Sequence, residues 1–170
     1  MSVGTPGGWS RALILNSLKM ELCDFLVLAK RNAYIGEDSV HKNYRAMDDG
    51  CMECVYVSGD FMYRDRYYGN EIFNGREVVF EKKKPIWAMT YHGDLLDPDV
   101  SLKDVYNFLG SALFAMNEKF PSRGPKFFSE GRFAYINHLN GSVQKFMGQE
   151  SILFDNKKVY ELCYHGGMVK

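Results

Sequence analysis

The chain has 170 residues, of which 46% are hydrophobic and 25% are charged, and its 21 basic and 21 acidic side chains cancel. This composition excludes a disordered, collagen-like or coiled-coil chain, and no apolar run approaches the roughly 20 residues of a membrane helix. A net charge of zero provides no overall field that would attract nucleic acid or an anionic membrane.

The first segment, residues 1–16, contains three Gly residues and one Pro and has no charged n-region before a short apolar stretch. It is predicted to be a flexible tail rather than a signal peptide, so we expect a cytoplasmic protein with reduced thiols. Cys51 and Cys54 form a CxxC pair that runs into a strand-like segment, residues 55–57. Without a second pair or a following helix, they are predicted to be structural thiols rather than a zinc or redox site.

Two helices are predicted from apolar residues at helical spacing. The first runs from residue 17 to about residue 31, and its stripe includes Leu22 and Phe25. The second begins at Ser101, where Asp104 completes a pattern close to a capping box, and it ends before Pro121.

An internal repeat follows each helix. Residues 73–93 align without a gap over residues 146–166, and the identical pairs are Phe73/Phe146, Gly75/Gly148, Glu77/Glu150, Lys84/Lys157, Tyr91/Tyr164, His92/His165 and Gly93/Gly166. Upstream of this match, residues 61–67 and 133–139 both alternate aromatic and other side chains, as one face of a strand requires.

These patterns predict an α+β fold. Two α-β-β-β repeats, at about 17–97 and 98–169, would form one antiparallel sheet of about six strands, packed on one face by both helices and related by a pseudo-twofold axis. Because each half alone would leave its apolar sheet face open, we expect residues 17–170 to form a single domain.

The repeats carry motifs that resemble a known family. The motifs are Phe73-x-Gly75-x-Glu77-x-Val79, Ile86-Trp87-x-Met89-x-Tyr91-x-Gly93, Pro121-x-Arg123-Gly124-Pro125 and Tyr160-x-x-x-Tyr164-His165-Gly166-Gly167. They resemble an uncharacterised bacterial domain that is often found C-terminal to a helix-turn-helix module in XRE-type transcriptional regulators and also occurs alone. The resemblance covers nearly the whole chain, from Leu18 to Val169, and implies a sensor or accessory domain of unknown ligand. The segment before Leu18 is too short for a helix-turn-helix, so direct DNA binding is not expected.

The repeat-related glutamates, Glu77 and Glu150, are the first candidates for a site. Each lies on the same strand face as a Phe, where burying a carboxylate is costly unless it is paired. They could form a pocket near the pseudo-twofold axis that suits a cationic or hydrogen-bond-donating ligand, lined by Trp87, Tyr91, Tyr160 and Tyr164. Alternatively, each Glu pairs with an Arg or caps a turn and only stabilises the fold.

Three further residues have side chains that could carry chemistry. Arg123, between two prolines, could bind an anionic ligand group, but pairing with Glu77 or Glu150 is favoured. His92 and His165 end the third strand of each repeat and, with the two glutamates, would be a plausible metal set by residue type alone. Because strand side chains alternate, both histidines should point away from the neighbouring tyrosines, which argues against a shared metal site.

The sequence therefore predicts a small-molecule-binding or sensing domain with no cofactor and no metal. Its partners would be an unknown ligand and, in addition, a second copy of itself or a regulatory protein, without direct contact to nucleic acid or membrane. An enzyme that uses the Glu and His residues, and a protein-interaction module, are the alternatives.

Overall fold

A computed structural model describes residues 11–33, 43–119 and 121–170, and within the first helix it describes side chains from residue 21 onward. Two helices and nine strands are present in these residues. They are α1 (Arg11–Ala33), β1 (Arg45–Ala46), β2 (Met52–Ser58), β3 (Phe61–Gly69), β4 (Ile72–Glu81), β5 (Lys84–Leu95), α2 (Leu102–Phe114), β6 (Phe127–Glu130), β7 (Phe133–Ser142), β8 (Lys145–Phe154) and β9 (Lys157–Met168).

All nine strands belong to one antiparallel sheet, with the order β1-β2-β3-β4-β5-β9-β8-β7-β6. Strands β1 to β5 form one meander and β6 to β9 form a second. The two are joined along β5 and β9, where Tyr91 lies opposite Tyr164. The turns after β4 and β8 each contain two residues with positive φ, Lys82 and Lys83 in the first and Asp155 and Asn156 in the second. Such two-residue turns match the right-handed twist of the strands that they connect.

Both helices pack their apolar stripes against the same sheet face. The buried side chains of α1 include Leu22, Phe25 and Leu26, and those of α2 include Leu109 and Leu113. They form one core with the inward side chains of the strands. The Ser101 side chain accepts a hydrogen bond of 3.3 Å from the backbone N–H of Asp104, which confirms the predicted start of α2.

The prediction of about six strands in two α-β-β-β repeats is wrong. The six predicted strands are β3–β5 and β7–β9, but β1 and β2 extend the sheet beyond β3, and β6 extends it beyond β7. The repeat alignment could not reveal these strands because they lie outside the aligned residues. They pair with the outer strands because an open strand edge leaves backbone donors and acceptors without partners.

The expected N-terminal tail, residues 1–16, also differs in part. Helix α1 begins at Arg11, whereas residues 1–10 lie outside the described residues. Neither of the two helices in the described ranges is long and apolar enough to cross a membrane.

Candidate ligand-binding site

Of the side chains that the structure describes, five charged ones are buried at the centre of the covered sheet face. Two are cations, Lys30 and Arg123, and three are carboxylates, Asp65, Glu77 and Glu150. Buried charges are stable only when they are paired or hydrogen-bonded, so the partners of each define what this region can do.

Glu150, on β8, is fully paired. Arg123 binds it in a bidentate manner: Nε lies 2.9 Å from Oε2, and Nη2 donates to Oε1. The hydroxyls of Tyr135 and Tyr160 donate to the same carboxylate at 2.6 and 3.1 Å. Four donors on one buried carboxylate form a closed network, and burial raises the pKa of both tyrosines well above the usual value. Arg123 thus pairs with Glu150, which is one of the two partners considered from the sequence.

The segment that carries Arg123 is fixed by backbone contacts to β7. The backbone N–H of Gly124 donates to the Tyr135 hydroxyl at 3.1 Å, and Asn137 Nδ2 donates to the Gly124 carbonyl at 2.9 Å. The Asn137 side chain in turn accepts a hydrogen bond of 2.8 Å from the Tyr164 hydroxyl. These contacts hold the guanidinium in place without a ligand.

Glu77, on β4, is less completely satisfied. Its Oε2 lies 2.6 Å from Lys30 Nζ of α1, which also donates to the Ser122 carbonyl. Glu77 Oε1 has no hydrogen-bond partner among the residues that the structure describes. Burial lowers the pKa of Lys30, while the charge of Glu77 opposes that shift.

Asp65, on β3, lies directly opposite Glu77 in the strand register. Its hydrogen-bond donors among the described residues are both neutral: the Tyr44 hydroxyl at 2.6 Å and the Tyr91 hydroxyl at 2.8 Å. Desolvation, reinforced by the charge of Glu77, raises the pKa of Asp65 from 3.8 to about 7. This carboxyl group is therefore close to half-protonated at neutral pH.

Asp65 also lines an open pocket of ≈ 510 Å³, a volume that includes the space at its mouth. The pocket lies between α2 and the end of the β3–β4 hairpin. Its other lining residues are Tyr44, Tyr67, Gly69, Asn70, Phe73, Tyr91, Tyr106, Leu109, Leu113, Arg123 and Tyr160. Six of them are aromatic, so the pocket offers ring faces around one carboxyl group.

The predicted site residues divide between this pocket and the surrounding core. Tyr91, Tyr160 and Arg123 line the pocket. The lining does not include Glu77, Glu150, Trp87 or Tyr164. Trp87 is fully buried and donates from Nε1 to the Val143 carbonyl at 3.1 Å.

Sequence reasoning missed Asp65, Tyr44 and Tyr106. A signal for Asp65 was present, because Tyr63-x-Asp65-x-Tyr67 places an acidic side chain on the aromatic face of a predicted strand. The segment before Tyr44 contains no pattern that would bring it to β3, and Tyr106 is one of several aromatic residues in or near α2.

The histidines lie on the other side of the sheet. His92 and His165 are exposed, while the neighbouring Tyr91 and Tyr164 are buried on the helix-covered face with the glutamates. The alternative in which His and Glu residues share one metal is therefore incompatible with the fold. In the part of the chain that the structure describes, no group of three or more His, Cys, Asp or Glu residues could hold a metal ion.

Residues 65–169 match a family described as a domain of unknown function, DUF5680. The chain belongs to this family. The matched region begins at Asp65 and includes Glu77, Tyr91, Arg123 and Glu150, whereas Lys30 and Tyr44 lie before it. No curated protein and no solved structure matches the chain.

Proposed function

We propose that this DUF5680 domain binds a small organic molecule in the pocket between α2 and the β3–β4 hairpin. One observation carries the proposal: a carboxyl group that is 1% exposed, that of Asp65, forms part of the wall of an open aromatic pocket. In the part of the chain that the structure describes, this carboxyl group has neutral hydrogen-bond donors and no salt bridge. Burying such a group is costly for a fold, and such costs are concentrated at functional sites.

The lining of the pocket supports this proposal. Small-molecule sites combine mainly apolar walls with a few placed polar groups. Here Phe73 and Tyr160 stack with centroids 6.3 Å apart, and Leu109 and Leu113 supply an aliphatic wall. A flat or apolar ligand body would pack on these side chains, and the polar groups would fix its orientation.

The position of the pocket suits a sensing role. Its mouth is bridged by a hydrogen bond from the Tyr106 hydroxyl of α2 to the Asn70 carbonyl at the β3–β4 turn. A ligand that enters beside this bridge would change the contact between a helix and the sheet. Together with the resemblance to domains that accompany XRE-type regulators, this favours an effector-sensing domain that acts on a regulatory protein partner.

The test uses a variant that covers the mouth of the pocket. Asn70 is exposed and lines the pocket, so Asn70→Trp should obstruct entry without disturbing the core. Asn140, near the β7–β8 turn, is also exposed and is remote from the lining, so Asn140→Trp is the matched control. A fragment library would be screened against the wild type and both variants by ligand-observed NMR.

We expect a set of fragments that bind the wild type and Asn140→Trp but not Asn70→Trp. Fragments that bind all three proteins equally would place binding elsewhere. A library without any hit on the wild type would contradict the proposed function.

A further inference from the structure

One of the buried carboxylates in the described residues lacks a cationic partner, whereas the others have one. Glu53 pairs with Arg45 and Arg66, and Asp97 pairs with Lys157. Glu77 and Glu150 have Lys30 and Arg123, respectively. Among the buried carboxylates in residues 21–33, 43–119 and 121–170, Asp65 alone forms no salt bridge.

The charges around Asp65 leave it without a cationic partner of its own among the residues that the structure describes. Asp65 and Glu77 lie opposite each other on adjacent strands, and they share the field of one ammonium group, that of Lys30, which is bound to Glu77. The other nearby cation, Arg123, is engaged by both oxygens of Glu150. With both acids ionised, this part of the described interior carries one net negative charge. Asp65 lines the pocket, whereas Glu77 and Lys30 do not.

We infer that the ligand of this pocket is an organic monocation, an ammonium group on an aromatic or apolar body, and that it takes the place of the missing positive charge beside Asp65. This inference rests on the proposed small-molecule function and specifies its substrate class. The ammonium group would lie against the ring of Tyr44, since ring faces attract cations and the Tyr91 ring already has the Arg123 guanidinium 5.9 Å from its centroid. The hydroxyls of both tyrosines donate to the carboxylate. Because Asp65 itself is buried, water screens its negative charge poorly, and this charge acts across the ring without direct contact.

In the absence of a ligand, a proton supplies the missing charge. The groups that face Asp65 are Lys30 of α1, Cys54 of β2, Tyr67 of β3, Glu77 of β4, Tyr91 of β5 and Tyr44 before β1. Burial raises the pKa of Cys54 to about 11 and that of Tyr67 further still, so these two remain neutral between pH 6 and 8. A cation that binds at pH 6 would therefore displace the proton of Asp65.

Three small probes of similar shape and different charge test the inference. They are 2-phenylethylamine, which is a cation at neutral pH, 2-phenylethanol, which is neutral, and phenylacetate, which is an anion. Affinities would be measured by NMR titration at pH 8 with the wild type, Asp65→Asn and the control Asp97→Asn, which alters a paired carboxylate outside the pocket. We expect the amine to bind at least about tenfold more tightly than the alcohol, and Asp65→Asn, unlike Asp97→Asn, to remove that preference.

A second measurement needs no variant. Calorimetry of amine binding at pH 6, in two buffers of different ionisation enthalpy, should show release of close to one proton, and this release should vanish near pH 9. Binding of the alcohol should release none.

The outcomes separate this inference from the proposed function. Equal binding of amine and alcohol, tighter binding of phenylacetate, or amine binding without proton release at pH 6 would overturn the inference and leave a small-molecule pocket. Failure of all three probes, together with a fragment library that gives no hit, would overturn both.

Discussion

The ring of Tyr91 lies directly over Gly75. A Cβ atom at Gly75 would be 2.2 Å from Cζ of Tyr91, so no other residue fits without moving the ring. Gly75 is on β4, and its missing side chain lets the phenol of Tyr91 cross from β5 to Asp65 on β3. The same arrangement occurs at Gly148, which lets Tyr164 reach Asn137. The glycine of each Phe-x-Gly-x-Glu motif thus makes room for a tyrosine.

Gly75→Ala is therefore expected to displace the Tyr91 ring and to lower the free energy of unfolding by about 1–3 kcal/mol, as overpacking of a core does. The matched variant Gly148→Ala should destabilise the fold to a similar extent. Only Gly75→Ala should also change probe binding, because Tyr91 lines the pocket and Tyr164 does not. Urea unfolding and NMR titration would measure the two effects, and equal loss of binding in both variants would contradict this assignment.

The raised pKa of Asp65 predicts a pH-dependent stability. The carboxyl group has a pKa of about 7 in the folded protein against 3.8 as its ordinary value, so the folded state holds the proton more tightly. Its contribution to stability is complete below pH 4 and is lost as the pH rises through 7. From pH 5 to pH 8 the free energy of unfolding of the wild type should fall by about 2–3 kcal/mol relative to Asp65→Asn.

The measurement is urea unfolding at four pH values in that range, with Asp97→Asn as the control. The pKa of Asp97 is lowered, chiefly by its hydrogen bond with Lys157, so its own contribution is lost only at more acidic pH. A wild type and an Asp65→Asn variant with parallel pH profiles would refute a raised pKa at Asp65.

The sequence predicted some of this architecture and missed the rest for physical reasons. The aromatic alternation of β3 and β7 and the capped start of α2 are local signals, because one element contains all the residues involved. The partner of Arg123 depends on how the segment after α2 folds back onto β7 and β8, so Glu77 and Glu150 could not be distinguished. The pocket depends on contacts between residues far apart in the chain, such as Tyr44 with Asp65 and Tyr106 with Asn70, and no periodicity encodes them.

The reaction rates of the four cysteine thiols would test which of them are buried. Cys23, Cys51 and Cys54 are buried, Cys163 is exposed, and no disulfide links them. Desolvation raises the pKa of Cys51 and brings that of Cys54 to about 11, so neither thiol is activated. In the native protein at pH 8, a thiol reagent should modify one cysteine rapidly, and Cys163→Ser should abolish this phase. Rapid modification of Cys51 or Cys54 would instead support a reactive CxxC pair.

We expect a large coupling energy between Arg123 and Glu150 because the pair is buried. Its side chains are 4% and 0% exposed, and removal of either partner leaves the other charge uncompensated. Arg123→Met and Glu150→Gln should each lower the free energy of unfolding by about 3–5 kcal/mol, and the double variant should lose less than the sum.

The surface pair Arg132–Asp155 has the same bidentate geometry at 66% and 52% exposure, so it is a matched control. A double-mutant cycle in urea should resolve a coupling energy for the buried pair and none for the surface pair. Equal coupling in the two cycles would mean that burial does not set the strength of this interaction.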